Sequence, residues 1–262
     1  MTLLSTRQQS ILNRVVDTYV ETGQPVGSRH ITKLYTEMYQ SSYSSATVRY
    51  EMLRLEDKGY LTHPHTSAGR IPTDSGYRYY VDHGMKLERP KEDTFQQLHE
   101  DVQDTTRLET FADRVSLMLS KLSGQLGLML LPEHRRNPAR DYRISIRGAN
   151  RISEQPEFHD RSKLSLLLES LENRKELALW LGERKQNAGT TISIGKENEA
   201  EAFQVCSVIS AQVFYEGEAL GVLALVGPKR MCYGRAVPLV SEMAQIVSRL
   251  LEIKRVENFS SE

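Results

Sequence analysis

Ser44, Ser45, Thr47, Arg49 and Tyr50 crowd the start of a segment in which Val48, Met52 and Leu55 recur at helical spacing. Hydroxyls and a guanidinium at the start of a helix suit contact with a nucleic-acid duplex. Ser and Thr bond phosphates or base edges, and Arg bonds guanine bidentately. The helix N-terminus adds partial positive charge toward a phosphate. Each residue also has a plain structural use: Ser44 or Ser45 as the helix cap, Arg49 as the partner of a nearby carboxylate.

A second cluster follows at Pro64-His65-Thr66-Ser67-Ala68-Gly69-Arg70. Small residues, hydroxyls and a cation at a hairpin tip fit an arm laid against a sugar-phosphate strand. Ala68 and Gly69 let the backbone come close, and Arg70 enters a minor groove or clamps a phosphate. A surface hairpin without a ligand is the competing reading. From Lys58 to Tyr80 the basic residues Lys58, Arg70 and Arg78 face one acid, Asp74, in a chain whose formal net charge is zero. A cationic loop can therefore sit inside a neutral protein, although charge alone fits a solvated loop as well.

The elements that must hold these clusters are legible. Ser5 and Gln8 fit a capping box, after which Ile11, Leu12, Val15, Val16, Tyr19 and Val20 make one apolar stripe. Gly23 ends that helix and Gln24-Pro25-Val26-Gly27 turns. Ser28 caps a short second helix, Arg29 to Tyr35, with a polar loop over 36–43. The third helix runs from Ser44 or Ser45 to Lys58, and Gly59 is placed as its left-handed terminator. Residues 60–63 and 71–73 read as two short strands, and Thr73 or Asp74 caps a helix over 75–81. Helix, helix, helix, strand, loop, strand, helix is the order of a winged helix-turn-helix.

A charged, proline-containing stretch at 87–93 marks the boundary of this head. Beyond it Leu98, Val102, Thr105, Leu108, Phe111, Val115, Leu119 and Leu122 form a helical seam. It packs either on its own C-terminal domain or on a second chain. In the rest, 126–131, 191–195, 205–215 and 219–226 read as strands, with Glu216-Gly217 as a hairpin turn. Residues 164–181 and 238–253 read as helices. The fold expected is α+β: a winged-helix domain over 1–86, a helical linker or dimerisation segment over 87–125, and an antiparallel-sheet domain over 126–262.

Composition excludes several classes. The chain of 262 residues is 39% hydrophobic and 26% charged, as globular proteins are. No apolar run is long enough for a membrane span, and the N-terminal stretch lacks the pattern of a signal peptide. The two cysteines, Cys206 and Cys232, are too few for a disulfide framework and lack ligand spacing for zinc. No nucleophile elbow, phosphate loop or paired-carboxylate arrangement is found. The expectation is a non-enzymatic cytoplasmic protein without metal or cofactor.

Gln24–Ser28 (QPVGS), Ser44–Arg49 (SSATVR), Gly59-Tyr60 and above all residues 64–82 (PHTSAGRIPTDSGYRYYVD) closely resemble the heat-inducible transcription repressor family HrcA. Later stretches agree in order: Pro156-Glu157-Phe158, Ile194–Asn198 and Gly227–Tyr233. The resemblance covers roughly 1–130 and 143–255. It implies a homodimeric repressor that binds an inverted-repeat operator of chaperone genes, pairs a winged helix with a GAF-like sheet domain, and depends on chaperonin until heat diverts it. The DNA-contacting set expected is Ser28, Ser44, Ser45, Thr47, Arg49, Tyr50, His65, Thr66, Ser67, Gly69 and Arg70. Leu98, Val102, Leu108, Phe111, Val115 and Leu119 are the dimerisation residues expected if the seam packs on a second chain.

Three departures stand out. Tyr50 replaces the Asn usual in the family, the 35–43 loop is longer, and the span between Leu131 and Arg147 is much shorter. A reduced GAF-like domain is therefore expected. Gly227–Tyr233 reads as a structural turn, or as an anion site through Lys229 and Arg230. The rival functional readings are a ligand-responsive regulator of another gene set and a protein-interaction module.

Overall fold

The computed structural model describes residues 4–39, 43–65, 68–103, 107–132, 142–186 and 189–254. The chain divides into two compact units, Met1–Lys86 with Lys229–Tyr233, and Leu87–Pro228 with Gly234–Glu262.

In the first unit, α1 (Thr6–Thr22) starts at the capping box of Ser5 and Gln8 and stops at Gly23, whose φ of 66° is left-handed. Its stripe of Ile11, Leu12, Val15 and Val16 is fully buried, as are Ile31 of α2 (Ser28–Tyr39) and Val48 and Leu55 of α3 (Ser45–Asp57). The second helix continues past Tyr35, where a loop was expected. The Thr32 and Thr36 hydroxyls bond back to Ser28 O at 2.9 Å and Thr32 O at 3.0 Å, so these polar residues are satisfied within the helix. Tyr35 is buried against α1, with its hydroxyl 2.5 Å from Ser10 Oγ. After α3, Gly59 (φ 78°) turns the chain into a hairpin of β1 (Leu61–Thr62) and β2 (Ile71–Pro72), followed by α4 (Asp74–His83). Thr73 caps α4 through Gly76 N at 3.1 Å. Tyr80 Oη donates to Asp17 at 2.7 Å and ties α4 to α1.

In the second unit five strands of the described residues form one antiparallel sheet, ordered β4-β3-β7-β6-β5. These are β3 (Leu126–Pro132), β4 (Tyr142–Arg147), β5 (Thr190–Ile194), β6 (Cys206–Tyr215) and β7 (Glu218–Pro228). Glu216 (φ 51°) and Gly217 (φ 81°) make the tight turn between β6 and β7, with the two positive φ values of a type I′ hairpin. The strand β4 was not expected, because its apolar alternation is short and follows a highly polar stretch.

All seven residues of β3 are buried, so the sheet is covered on both faces, which is why β3 reads as an unbroken apolar run. Leu126, Leu128 and Leu130 join one core with Leu167 and Leu171 of α8 (Arg161–Glu172) and Leu177 and Leu181 of α9 (Arg174–Glu183). The single helix expected over 164–181 is broken between these two. Asn173 leaves helical geometry, and its side chain accepts from Glu176 N at 3.4 Å, capping the second helix.

The opposite face of β3 takes α6 (Leu108–Ser123), so close that a Cβ on Gly127 would lie 2.3 Å from Ser116 O. Ser116 Oγ lies 2.7 Å from Ser145 Oγ of β4, and Asp113 of α6 accepts from Ser145 and pairs with Arg147, each at 2.5 Å. The expected seam is split between α5 (Gln96–Gln103) and α6, with Thr105 outside the described residues. Leu98, Val102, Leu108, Phe111, Val115 and Leu119 are between 0% and 8% exposed in the single chain. Of the two packings expected for the seam, the single chain shows the one on its own core, with α6 lying on β3 and β4.

The Ile194–Asn198 motif is a polar stitch. The buried Asn198 donates to Gly195 O and Phe203 O, both at 3.0 Å, and accepts from Arg184 at 3.1 Å. Arg184 lies 4.5 Å from the Trp180 ring, and Trp180 stacks on Phe203 at 4.1 Å. Burial lowers the pKa of Arg184, opposed by the nearby Glu199 and Glu183 carboxylates. A helix α7 (Ala149–Ser153) follows β4, and α10 (Tyr233–Lys254) closes the described chain. No helix of the described residues is long and apolar enough to cross a membrane.

Leu119→Ala is expected to cost about 2–5 kcal/mol by leaving a cavity in this core. Urea unfolding measured over a wide range of protein concentration checks it. The loss should be the same at every concentration, whereas a concentration-dependent loss would place the seam between two chains.

Candidate nucleic-acid interface

The head unit fixes α3 from its inner side. Met52 and Leu55 are buried, and so is Glu51, whose carboxylate accepts from Gln8 Nε2 of α1 at 3.0 Å. The Gln8 amide oxygen takes Lys58 Nζ at 3.0 Å, and Arg7 lies 3.7 Å from Glu51. A buried charge is tolerated when its oxygens are bonded in this way. The chain of groups runs along α3 from Glu51 to Lys58, and it resists rotation of α3 about its own axis. Sequence reasoning missed it, because Gln8 and Glu51 are separated by 43 residues and neither type marks a core position.

The outer side of α3 carries the residues expected to make contact. Ser44 caps the helix, its Oγ accepting from Thr47 N at 3.1 Å and lying 2.9 Å from the Thr47 hydroxyl. Its structural reading therefore holds. Ser45 Oγ is 3.4 Å from Ser28 Oγ, so the N-termini of α2 and α3 meet. Both ends carry partial positive charge. Arg49 is exposed and has no ion-pair partner among the described residues. Tyr50 is 57% exposed, with the Arg54 guanidinium 5.8 Å from its ring. A hollow of about 410 Å³ lies between the two helices and the hairpin, lined by Ser28, Arg29, Arg49, Met52, Gly69 and Arg70 among others.

The hairpin differs more from expectation. Arg70 is not at its tip. Its N–H and C=O exchange hydrogen bonds with Val26 at 2.8 Å and 2.9 Å, and its Nε lies 2.7 Å from Glu56 Oε2 of α3. Only 23% of the side chain is exposed. As a phosphate clamp Arg70 is thus already engaged by a carboxylate. Gly69 likewise serves an internal contact: a Cβ there would come within 2.6 Å of the Val26 carbonyl. His65 is exposed, and its carbonyl accepts from Ala68 N at 2.9 Å. Thr66 and Ser67 lie outside the described residues.

Glu56, His63 and Val26 are the residues sequence reasoning missed. His63 Nδ1 bonds the second oxygen of Glu56. Lys229, considered as an anion ligand, pairs with Asp74 at 2.6 Å, and Tyr233 packs against Tyr77 with ring centroids 6.1 Å apart. No cluster of His, Cys, Asp and Glu able to hold a metal occurs among the described residues.

Residues 137–237 match the family model described as "HrcA protein C terminal domain". A heat-inducible transcription repressor HrcA from Desulforudis audaxviator is 30% identical, over 94% of this chain and 97% of the relative. One from Brevibacillus brevis is 28% identical over 95% and 98%. That alignment runs over 343 positions against 262 residues here, so the relative carries residues this chain lacks. A crystal structure described as a hypothetical protein at 2.2 Å resolution superposes with a TM-score of 0.71 at 19% identity, over 96% of this chain and all of the other. That likeness concerns the fold.

Gly69→Ala should force the hairpin away from Val26. Hydrogen exchange checks it: the Val26 and Arg70 amides should lose protection while the α1 amides keep theirs. Unchanged protection at both would mean that the close approach is not a constraint.

Proposed function

The chain belongs to the HrcA family of heat-inducible transcription repressors, and from that premise we propose that it silences genes by occupying duplex DNA at an inverted repeat. The observation that carries this reading is Arg49. It is an exposed guanidinium without a partner among the described residues, near the start of a helix whose other face is locked into the head. Such a helix lies in a major groove with its N-terminal residues toward the base edges.

In this reading the head is a winged helix. Arg49 bonds a guanine, and Thr47 and Ser45 bond phosphate or a base edge. Tyr50 offers a flat ring where the family usually has an amide, which suits a thymine methyl or a sugar better than a bidentate base contact. Ser28, at the N-terminus of α2, faces a backbone phosphate. His65, Thr66 and Ser67 at the hairpin tip reach the flanking strand.

Two copies read the two halves of the repeat, because two-fold protein symmetry matches two-fold operator symmetry. The apolar face of α5 and α6 is already used within each chain, so the copies meet through another surface. The antiparallel sheet unit is the GAF-like domain. Bound repressor blocks polymerase. Chaperonin brings the chain to its active form, and heat relieves repression by drawing chaperonin to other clients, as the family resemblance implies. Such a protein works on the chromosome, in the cytoplasm, with chaperone genes as its targets.

The test is a mobility-shift titration on duplex from upstream of a chaperone operon, with a scrambled duplex beside it. Arg49→Ala should weaken binding to the operator by roughly 1–3 kcal/mol and leave weak binding to scrambled DNA intact. Equal loss on both duplexes would remove Arg49 from sequence reading. No binding of the folded wild-type chain to either, even in dilute salt, would overturn the DNA reading itself.

A further inference from the structure

We propose that Glu56 is a positioning residue that fixes the hairpin to α3 and withholds Arg70 from DNA, so that sequence is read by α3 and not swamped by hairpin charge. This rests on the DNA-binding reading above.

One carboxylate holds both arms of the hairpin. Glu56 sits in the last turn of α3. One oxygen bonds His63, just beyond β1 on the outgoing arm, and the other lies 2.7 Å from Arg70 Nε, just before β2 on the returning arm. The Glu56 side chain is 18% exposed, against 23% for Arg70 and 38% for His63. The pair is therefore partly shielded from solvent. Alongside these contacts the β1–β2 ladder has two residue pairs, and Val26 bridges Arg70. Arg70 also donates to Ala68 O at 3.4 Å, which keeps its fork turned along the hairpin.

Arg70 lines the hollow that also holds Arg49 and Arg29. A free guanidinium there would bind any phosphate and raise affinity for every sequence alike, since phosphate contacts carry no base information. Paired with Glu56 it adds little net charge, and the groove-facing helix supplies the discrimination. Glu56 thus sets the ratio of specific to non-specific binding in two ways: it places the arm, and it cancels a cation.

The experiment measures operator and scrambled-duplex affinity of the full chain over a range of salt, for wild type, Glu56→Gln, Glu56→Asp and the double variant Glu56→Gln/Arg70→Gln. Glu56→Gln should lower the operator-to-scrambled ratio about tenfold or more, while scrambled DNA binds as well or better. Its plot of log affinity against log salt should steepen by about one, the counterion released by one more phosphate contact. The double variant should return the slope to wild type without restoring the ratio. Glu56→Asp should recover part of the ratio, because it keeps the charge on a shorter arm. A ratio and slope unchanged in Glu56→Gln overturn the proposal, as does equal loss on both duplexes.

Hydrogen exchange separates this outcome from failure of the DNA reading. If the wild-type chain binds no duplex, faster exchange of the Val26 and Arg70 amides in Glu56→Gln still supports the clamp, and unchanged exchange sinks it.

Discussion

The inner face of α3 is bound to one orientation, and the candidate interface depends on that. Apolar burial of Val48, Met52 and Leu55 holds the helix in the head but does little to stop it rolling, because hydrophobic contact is not directional. The hydrogen bond from Gln8 to the buried Glu51 is directional, and Lys58 extends it to the end of the helix. Rotating α3 by a fraction of a turn would leave a carboxylate unpaired in the core, a costly state. Arg49 and Tyr50 therefore point outward because Glu51 points inward.

The same economy of contacts governs the hairpin. Its ladder has only two residue pairs, Leu61 with Pro72 and Thr62 with Ile71, too few to define an arm by themselves. It borrows definition from Val26, from the close approach at Gly69 and from Glu56. Residues with the composition of a DNA-binding tip thus divide into two sets. Gly69 and Arg70 hold the arm, and His65 projects from it. A cation and a glycine beside a hairpin tip are compatible with either task, and only their neighbours separate the two.

The sheet unit solves a different problem. A strand buried on both faces needs a cover on each, and the chain supplies α8 and α9 on one side and α6 on the other. That requirement accounts for the apolar face of α6, which lies on β3 and β4. The polar lock of Asp113, Ser116, Ser145 and Arg147 holds the α6 cover to β4. Relatives of this chain carry additional residues, yet the sheet remains closed on itself through its own helices.

Much of this was legible in the amino-acid sequence because it is local. The Ser5–Gln8 capping box, Gly23 and Gly59 at helix ends, the Glu216-Gly217 turn and the order of elements in the head all follow from residues within a few positions of one another. The breaks at Asn173 and the extension of α2 past Tyr35 were misread, since Asn and Thr suit both helix and loop and their partners decide. What tertiary structure alone decided lies between residues far apart. Glu51 meets Gln8, Glu56 pairs with Arg70, and the apolar face of α6 lies on its own sheet. A side chain's type states which bonds it can make. Which of them it does make depends on what folding brings within about 3 Å of it, and no local pattern encodes that.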